Sequence, residues 1–188
     1  MTTELEAINQ MLSVIGETPI NTLTSDTLPQ DASIAVNVLE ESNKAIQSEG
    51  WHFNTEVLTL TPDVLKNIIV PSGTLSIDTA KDETQDINPV DLNGKLYDLK
   101  NNTYEFSNSV KLEVISKRVW DQIPEPCKSY ITRMASRKFQ MRTLGSSELN
   151  QELLRDEIVS KARFIDYDSQ NADRTIFDDY SVSGVMDR

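Results

Sequence analysis

The sequence contains one cysteine, Cys127, and one histidine, His52. A lone cysteine forms neither an internal disulfide nor a thiolate metal cluster, and synthesis in a reducing compartment is expected. A lone histidine removes most metal sites and most Ser/His or Cys/His catalytic arrangements. The six glycines stand singly, which excludes phosphate-cradling loops of the Walker and dinucleotide-binding types, and no Gly-x-Ser-x-Gly elbow occurs. No apolar run reaches the roughly 18 residues of a membrane span. The opening residues, Met1 to Glu6, lack the basic start and apolar stretch of a signal peptide and are expected to enter a helix.

What is present is a globular balance, 38% apolar and 26% charged, over 188 residues. The net charge of −12 is unevenly spread. Residues 1–65 hold ten acids and one base, Lys44. Residues 127–147 hold five bases, Lys128, Arg133, Arg137, Lys138 and Arg142, and no acid. An acidic whole argues against general nucleic-acid binding, which needs a dominant basic face. The basic island fits either of two partners: acidic groups of the first helices or of a neighbouring subunit, or DNA phosphates in a channel. Pairing with carboxylates is the cheaper arrangement in so acidic a chain. Exposed pairs contribute only about 0.2–1 kcal/mol each, so they would orient more than stabilise.

The hydrophobic periods predict two helices, a sheet, and two more helices. Leu5, Ile8, Leu12 and Ile15, with Met11, recur at helical spacing over Thr3 to Ile15, with Thr2 or Thr3 as the cap and Gly16 as the stop. Pro19 and Pro29 bound a connector. A second helix is expected from Asp31, as N-cap, to Glu49, with Ala35, Val38, Leu39, Ser42, Ala45 and Ile46 inward and Gly50 ending it. From Trp51 the period becomes that of strands: Val57, Leu58 and Leu60; Leu75 and Ile77; then Val110, Leu112 and Val114. Residues 78–91 are expected to loop out, and a hairpin is expected over Lys95–Phe106 around Lys100-Asn101-Asn102. Helix resumes after Pro124 and Pro126 with Ile131, Met134, Ala135 and Phe139 inward. A last helix capped by Ser146 or Ser147 is predicted to reach Tyr167, burying Leu149, Leu153, Ile158, Ala162 and Ile165. The expected fold is α+β: a four-helix bundle from residues 1–50 and 120–167, a small antiparallel sheet inserted at 51–119, and an extended tail at 168–188.

Isolated catalytic signals are weak. His52, between Trp51 and Phe53, reads as a boundary histidine. Cys127 starts a helix beside Lys128, where a thiol pKa falls, yet it reads as a small half-buried residue. The carboxylate pairs Glu40-Glu41, Asp82-Glu83, Asp156-Glu157 and Asp178-Asp179 could suggest a glycan hydrolase, though an acidic chain supplies such pairs by chance. Asp78, Asp82, Glu83 and Asp86 lack calcium-loop spacing and its glycine.

Three ordered blocks go further. Ile8-Asn9-Gln10-Met11-Leu12-Ser13-Val14-Ile15-Gly16-Glu17-Thr18-Pro19 opens the chain, Gly50-Trp51-His52-Phe53-Asn54 closes the second helix, and Trp120-Asp121-Gln122-Ile123-Pro124-Glu125-Pro126 precedes the third. Together they resemble the tail tubular protein A family of short-tailed bacteriophages. The resemblance implies a non-enzymatic ring subunit, a dodecamer, seated in the virion tail between the portal protein and the tail nozzle (tail tubular protein B), with tail fibres as further neighbours. It implies synthesis in the host cytoplasm, no cofactor, no membrane, and DNA passing without sequence-specific binding. On that basis the five basic-island residues are expected at subunit interfaces or the channel, and Trp51 and Phe53 are expected to anchor bundle to sheet. The alternatives are the hydrolase and a DNA-contacting head-completion protein using the basic helix.

Overall fold

Thr3 starts α1 (Glu4–Val14) with a capping box: its hydroxyl accepts from the Glu6 N–H at 3.1 Å, and its own N–H donates to the Glu6 carboxylate at 2.7 Å. Gly16 (φ +79°) ends the helix, and Asn9 pins the connector by bonding both backbone groups of Ile20. The computed structural model describes residues 1–23 and 28–172. Helix α2 (Gln30–Gln47) begins one residue earlier than expected, so Asp31 lies in its first turn, where a negative charge faces the positive helix end. Helices α3 (Glu125–Thr143) and α4 (Ser147–Asn171) follow the sheet, with Pro126 in the first turn of α3 and Ser146 capping α4. Among the described residues the fold is α+β, as expected: four helices with small antiparallel sheets between the second and third.

Packing divides the chain into two compact units, one of residues 1–43 and 120 onward, the other of residues 44–119. In the first, α3 is the central element. No residue from Tyr130 to Gln140 is exposed, and α3 packs against both α4 and α1. The buried apolar side chains of this unit include Ala7, Ile8, Met11 and Leu12 of α1, Ala32, Ala35, Val38 and Leu39 of α2, and Leu153 and Phe164 of α4. The α4 stripe departs from expectation. Leu153 is buried as predicted, but Ile158, Ala162 and Ile165 are exposed, and Glu157, Ser160 and Phe164 take the inward positions. The reason lies on α3, which offers Arg137 to Glu157 and the Tyr130 ring to Phe164, 6.2 Å between centroids. Ala45 of α2 is likewise exposed.

In the second unit β1 (Thr55–Leu60), β5 (Val110–Ser116) and β2 (Thr74–Thr79) form an antiparallel sheet with β5 central. Leu58 pairs with Leu112, and Ile77 with Val114. A second, two-stranded sheet joins β3 (Pro89–Leu92) to β4 (Lys95–Asp98). The expected loop at 78–91 is therefore shortened at both ends, since β2 runs to Thr79 and β3 begins at Pro89. The tight turn is Asn93-Gly94, both left-handed (φ +57° and +76°), a pair suited to two-residue hairpins. The predicted hairpin at 95–106 reduces to one bridge, Asp98 to Thr103, with Asn102 left-handed as its residue type allows. The core here is Ile68, Val70, Leu96, Phe106, Val110, Leu112 and Val114. Helix α4 runs through Asn171, so the first residues of the expected tail are helical, and residues 173–188 lie outside the described ones.

Asp98, buried at the end of β4, organises this unit's turns. Its carboxylate accepts from the Asn88 N–H (3.0 Å), the Lys100 N–H (2.9 Å) and the Asn101 amide (2.6 Å). Burial alone would raise its pKa, but these donors outweigh it and hold the group below the ordinary aspartate value. A carboxyl whose folded pKa is depressed adds stability above its unfolded pKa, about 3.9, and loses it as pH falls through the folded value. Asp98→Asn is expected to lower the melting temperature at pH 7 and to narrow its gap from wild type as pH falls below about 4. Parallel melting curves from pH 7 to 3 would contradict this.

Candidate functional site

Two polar clusters carry the sequence-predicted residues. The first closes the ends of the inserted unit. Gly50 (φ +76°) takes the chain out of α2 in the left-handed region that favours glycine, and a Cβ there would lie 2.6 Å from Ile115 Cδ1, which would have to shift. Trp51 and Phe53 follow, each partly buried, and the Trp51 indole N–H donates to the Ile46 carbonyl at 2.7 Å. Asn54 is fully buried. Its side-chain oxygen accepts from the Trp51 N–H at 2.8 Å, and its amide donates to the Gln47 carbonyl at 2.9 Å. Its own carbonyl accepts from Ser116 at 2.9 Å. Gln47, also fully buried, uses its side chain as a strand would: it accepts from the Arg118 N–H at 2.7 Å and donates to the Arg118 carbonyl at 3.0 Å. The entering and leaving segments of the unit are thus stitched side by side, and Arg118 adds an ion pair to Glu56. Gln47 gave no sequence signal, since a glutamine at a helix end is ordinarily solvated.

The second cluster is the cationic row of α3. Lys128 is 1% exposed, with its ammonium 5.9 Å from the centre of the Trp120 ring. The Trp120 indole in turn donates to the Thr2 carbonyl at 2.9 Å, and Glu125 receives the Thr2 N–H at 3.0 Å. The Thr2 hydroxyl beside Glu125 holds that carboxyl below its usual range. Arg133 meets Asp156 at 3.7 Å, an exposed pair. Arg137 makes a two-pronged contact with Glu157, which is 8% exposed, and that hydrogen bond raises the guanidinium pKa further. Lys138 and Arg142 converge on Glu41 of α2, at 3.7 and 2.9 Å, and the Arg142 contact depresses the Glu41 pKa. Four of the five basic residues are thus engaged by carboxylates of the same chain. Glu41, Glu125 and Glu157 were missed as partners because nothing in the sequence sets them apart from the other acids.

The carboxylate pairs are similarly occupied. Asp156 and Glu157 each hold an arginine, Asp82 holds Lys111, and Glu83 accepts the N–H groups of Thr84, Gln85 and Lys111. Asp86 holds Lys100, and Asp78 caps the Thr79 N–H. Asp178-Asp179 lie outside the described residues. Cys127 is buried and His52 exposed, each on its own element. Among the described residues no group of three or more His, Cys, Asp or Glu is placed to hold a metal ion, and no helix is long and apolar enough to cross a membrane.

These side chains fasten helices and turns to one another. The chain belongs to the tail tubular protein family, whose profile matches residues 5–174. It is 26% identical over 143 residues to tail tubular protein A of Klebsiella phage KP34, covering 76% of this chain and 74% of that protein. It is a structural protein of the virion tail.

Two substitutions test the clusters. Asn54→Ala leaves the Trp51 N–H and the Gln47 carbonyl without their partner, and an unfolding free-energy loss of about 1–3 kcal/mol per group is expected by urea denaturation. A loss below about 0.5 kcal/mol, the scale of ordinary surface changes, would show that the stitch is dispensable. Glu157→Gln, which strands a partly buried arginine, is expected to cost about 1–3 kcal/mol. Asp156→Asn, at the exposed pair one residue away, should cost less than about 1 kcal/mol. Equal effects would refute the distinction.

Proposed function

We propose that the chain is the ring-forming adaptor that joins the portal of the phage head to the tail nozzle and lines the channel through which the genome leaves. The observation that carries this reading is the family match over residues 5–174, together with the likeness to a protein named tail tubular protein A. Its partners are further copies of itself, twelve to a ring, the portal above and the nozzle below, with tail fibres adjoining.

The electrostatics support a conduit in preference to a DNA grip. Residues 1–43 contain seven carboxylates and no lysine or arginine. The arginines and lysines of α3 that could have held phosphates are spent on Asp156, Glu157 and Glu41. DNA should slide past such a surface, since binding by counterion release needs unneutralised cations. In this reading Arg133, Arg137, Lys138 and Arg142 serve the ring by fixing α2 and α4 onto α3, Lys128 braces Trp120, and Trp51 with Phe53 secures the joint where the inserted sheet begins. No catalytic step is part of the role.

Mass photometry of the purified chain, alone and mixed with its cognate portal and nozzle proteins, tests the assignment. A ring of one discrete mass that binds both partners is expected. A chain that stays monomeric and ignores both would overturn it.

A further inference from the structure

Strand β1 lies at one edge of its sheet, and the phase of the ladder shows what it offers there. In an antiparallel pair, successive residues turn their backbone groups alternately toward and away from the partner. The Ser116 N–H donates to the Asn54 carbonyl at 2.9 Å, and the Lys111 carbonyl accepts from Ala80 on the β2 side at 3.1 Å. The even-numbered residues of β5 therefore bond β1, through Glu56, Leu58 and Leu60, and the odd-numbered ones bond β2. That phase turns the N–H and C=O groups of Val57 and Thr59 outward, where no hydrogen bond meets them among the described residues. Both residues are exposed, Val57 at 53%.

Sheet edges are ordinarily blocked against pairing with another chain. β2, the other edge of this sheet, is broken by a register shift between Thr74 and Ser76, and the Asp78 carboxylate takes up the Thr79 N–H at 2.7 Å. β3 opens with Pro89, which has no N–H to give. β1 has none of these devices. All six of its residues pair with β5 in unbroken register, and it contains no proline, lysine or arginine. Its outer row is Thr55, Val57, Thr59, the same in both directions. A second copy turned by 180° about Val57 sets Val57 against Val57 and Thr55 against Thr59. The two Val57 backbones then bond each other, and each Thr59 N–H meets the other copy's Thr55 carbonyl, the Thr55 N–H being already given to Trp51. Threonine and β-branched pairs are favourable across strands. No like charges are brought together. Glu56, the one charged residue of β1, is held by Arg118, and the neighbouring row on β5 carries one charge of each sign, Glu113 opposite Val57 and Lys111 opposite Thr59.

We propose that the β1 edge receives β1 of a second copy of this chain, antiparallel and in a two-fold contact centred on Val57. The backbone phase and the Thr-Val-Thr row both repeat under that rotation, so the edge is its own complement. A contact of this kind closes on two copies and cannot pass from neighbour to neighbour round a ring. It is therefore a contact of the subunit outside its ring, and it does not depend on the ring reading above.

Sedimentation velocity of the purified full chain over a concentration series tests it, with amide exchange read residue by residue. Wild type should pass from monomer to dimer as concentration rises. The Val57 and Thr59 N–H groups should gain protection over the same range, while Leu58, bonded to β5, stays protected throughout. Val57→Lys, at a side chain already exposed, should keep the wild-type melting curve and lose the dimer, because it sets two ammonium groups face to face. Thr55→Glu/Thr59→Lys should keep the dimer, since the two-fold register sets each lysine against a glutamate, whereas Thr55→Lys/Thr59→Lys should lose it. A wild-type chain that stays monomeric at every concentration would overturn the proposal. So would a dimer untouched by Val57→Lys, or one lost in both double variants while their melting curves hold. Protection at Val57 and Thr59 that ignores concentration would show that the chain covers its own edge, and that a second copy is not the occupant.

Discussion

The first unit depends on how α3 is surrounded. A helix with no exposed residue between Tyr130 and Gln140 must bury threonine, serine and glutamine along with its apolar side chains and partly cover arginine and lysine. Each neighbour solves part of that problem. Helix α4 brings Glu157 to Arg137, and α2 brings Glu41 to Lys138 and Arg142. The start of α1 brings Thr2 to Glu125 and Trp120. Thr132 and Ser136 turn their hydroxyls back onto carbonyls one turn earlier, at 2.8 Å each. The helices are therefore oriented as much by polar satisfaction as by apolar area, and an unpaired member would leave a charge or donor out of water.

The same logic governs the inserted unit, with amides in place of ions. Gln47 and Asn54 are both fully buried, and between them they satisfy backbone groups of Trp51, Gln47 itself and Arg118, where regular ladders have not yet begun or have already ended. Asp98 does this for the turns around β4. A sheet this small buries few apolar side chains, so such fixed polar junctions carry much of its definition.

Much of the fold was legible because period and punctuation agreed. Thr3, Gly16, Gly50, Pro126 and Ser146 mark helix ends that the structure reproduces within a few residues. The alternation of Val110, Leu112 and Val114 marked the central strand. What escaped was decided across the fold. The inward face of α4 could not be read from its own sequence, since aliphatic Ile158 and Ile165 outrank Glu157 and Ser160 on any hydropathy argument. The choice was made by Arg137 and Tyr130 of α3. β3 was hidden in a polar stretch because its partner β4 and the Asn93-Gly94 turn, not its hydrophobicity, make it a strand. The basic island was visible as a composition, but its carboxylates were not, because they come from helices distant in sequence.

The most direct test of the whole account is a cryo-electron microscopy map of the neck of the virion that carries this protein. A ring of copies between portal and nozzle is expected, with the channel wall lined with carboxylates. Density for the chain elsewhere in the particle, or a ring whose DNA path is faced by unpaired Arg133, Arg137, Lys138 and Arg142, would contradict it.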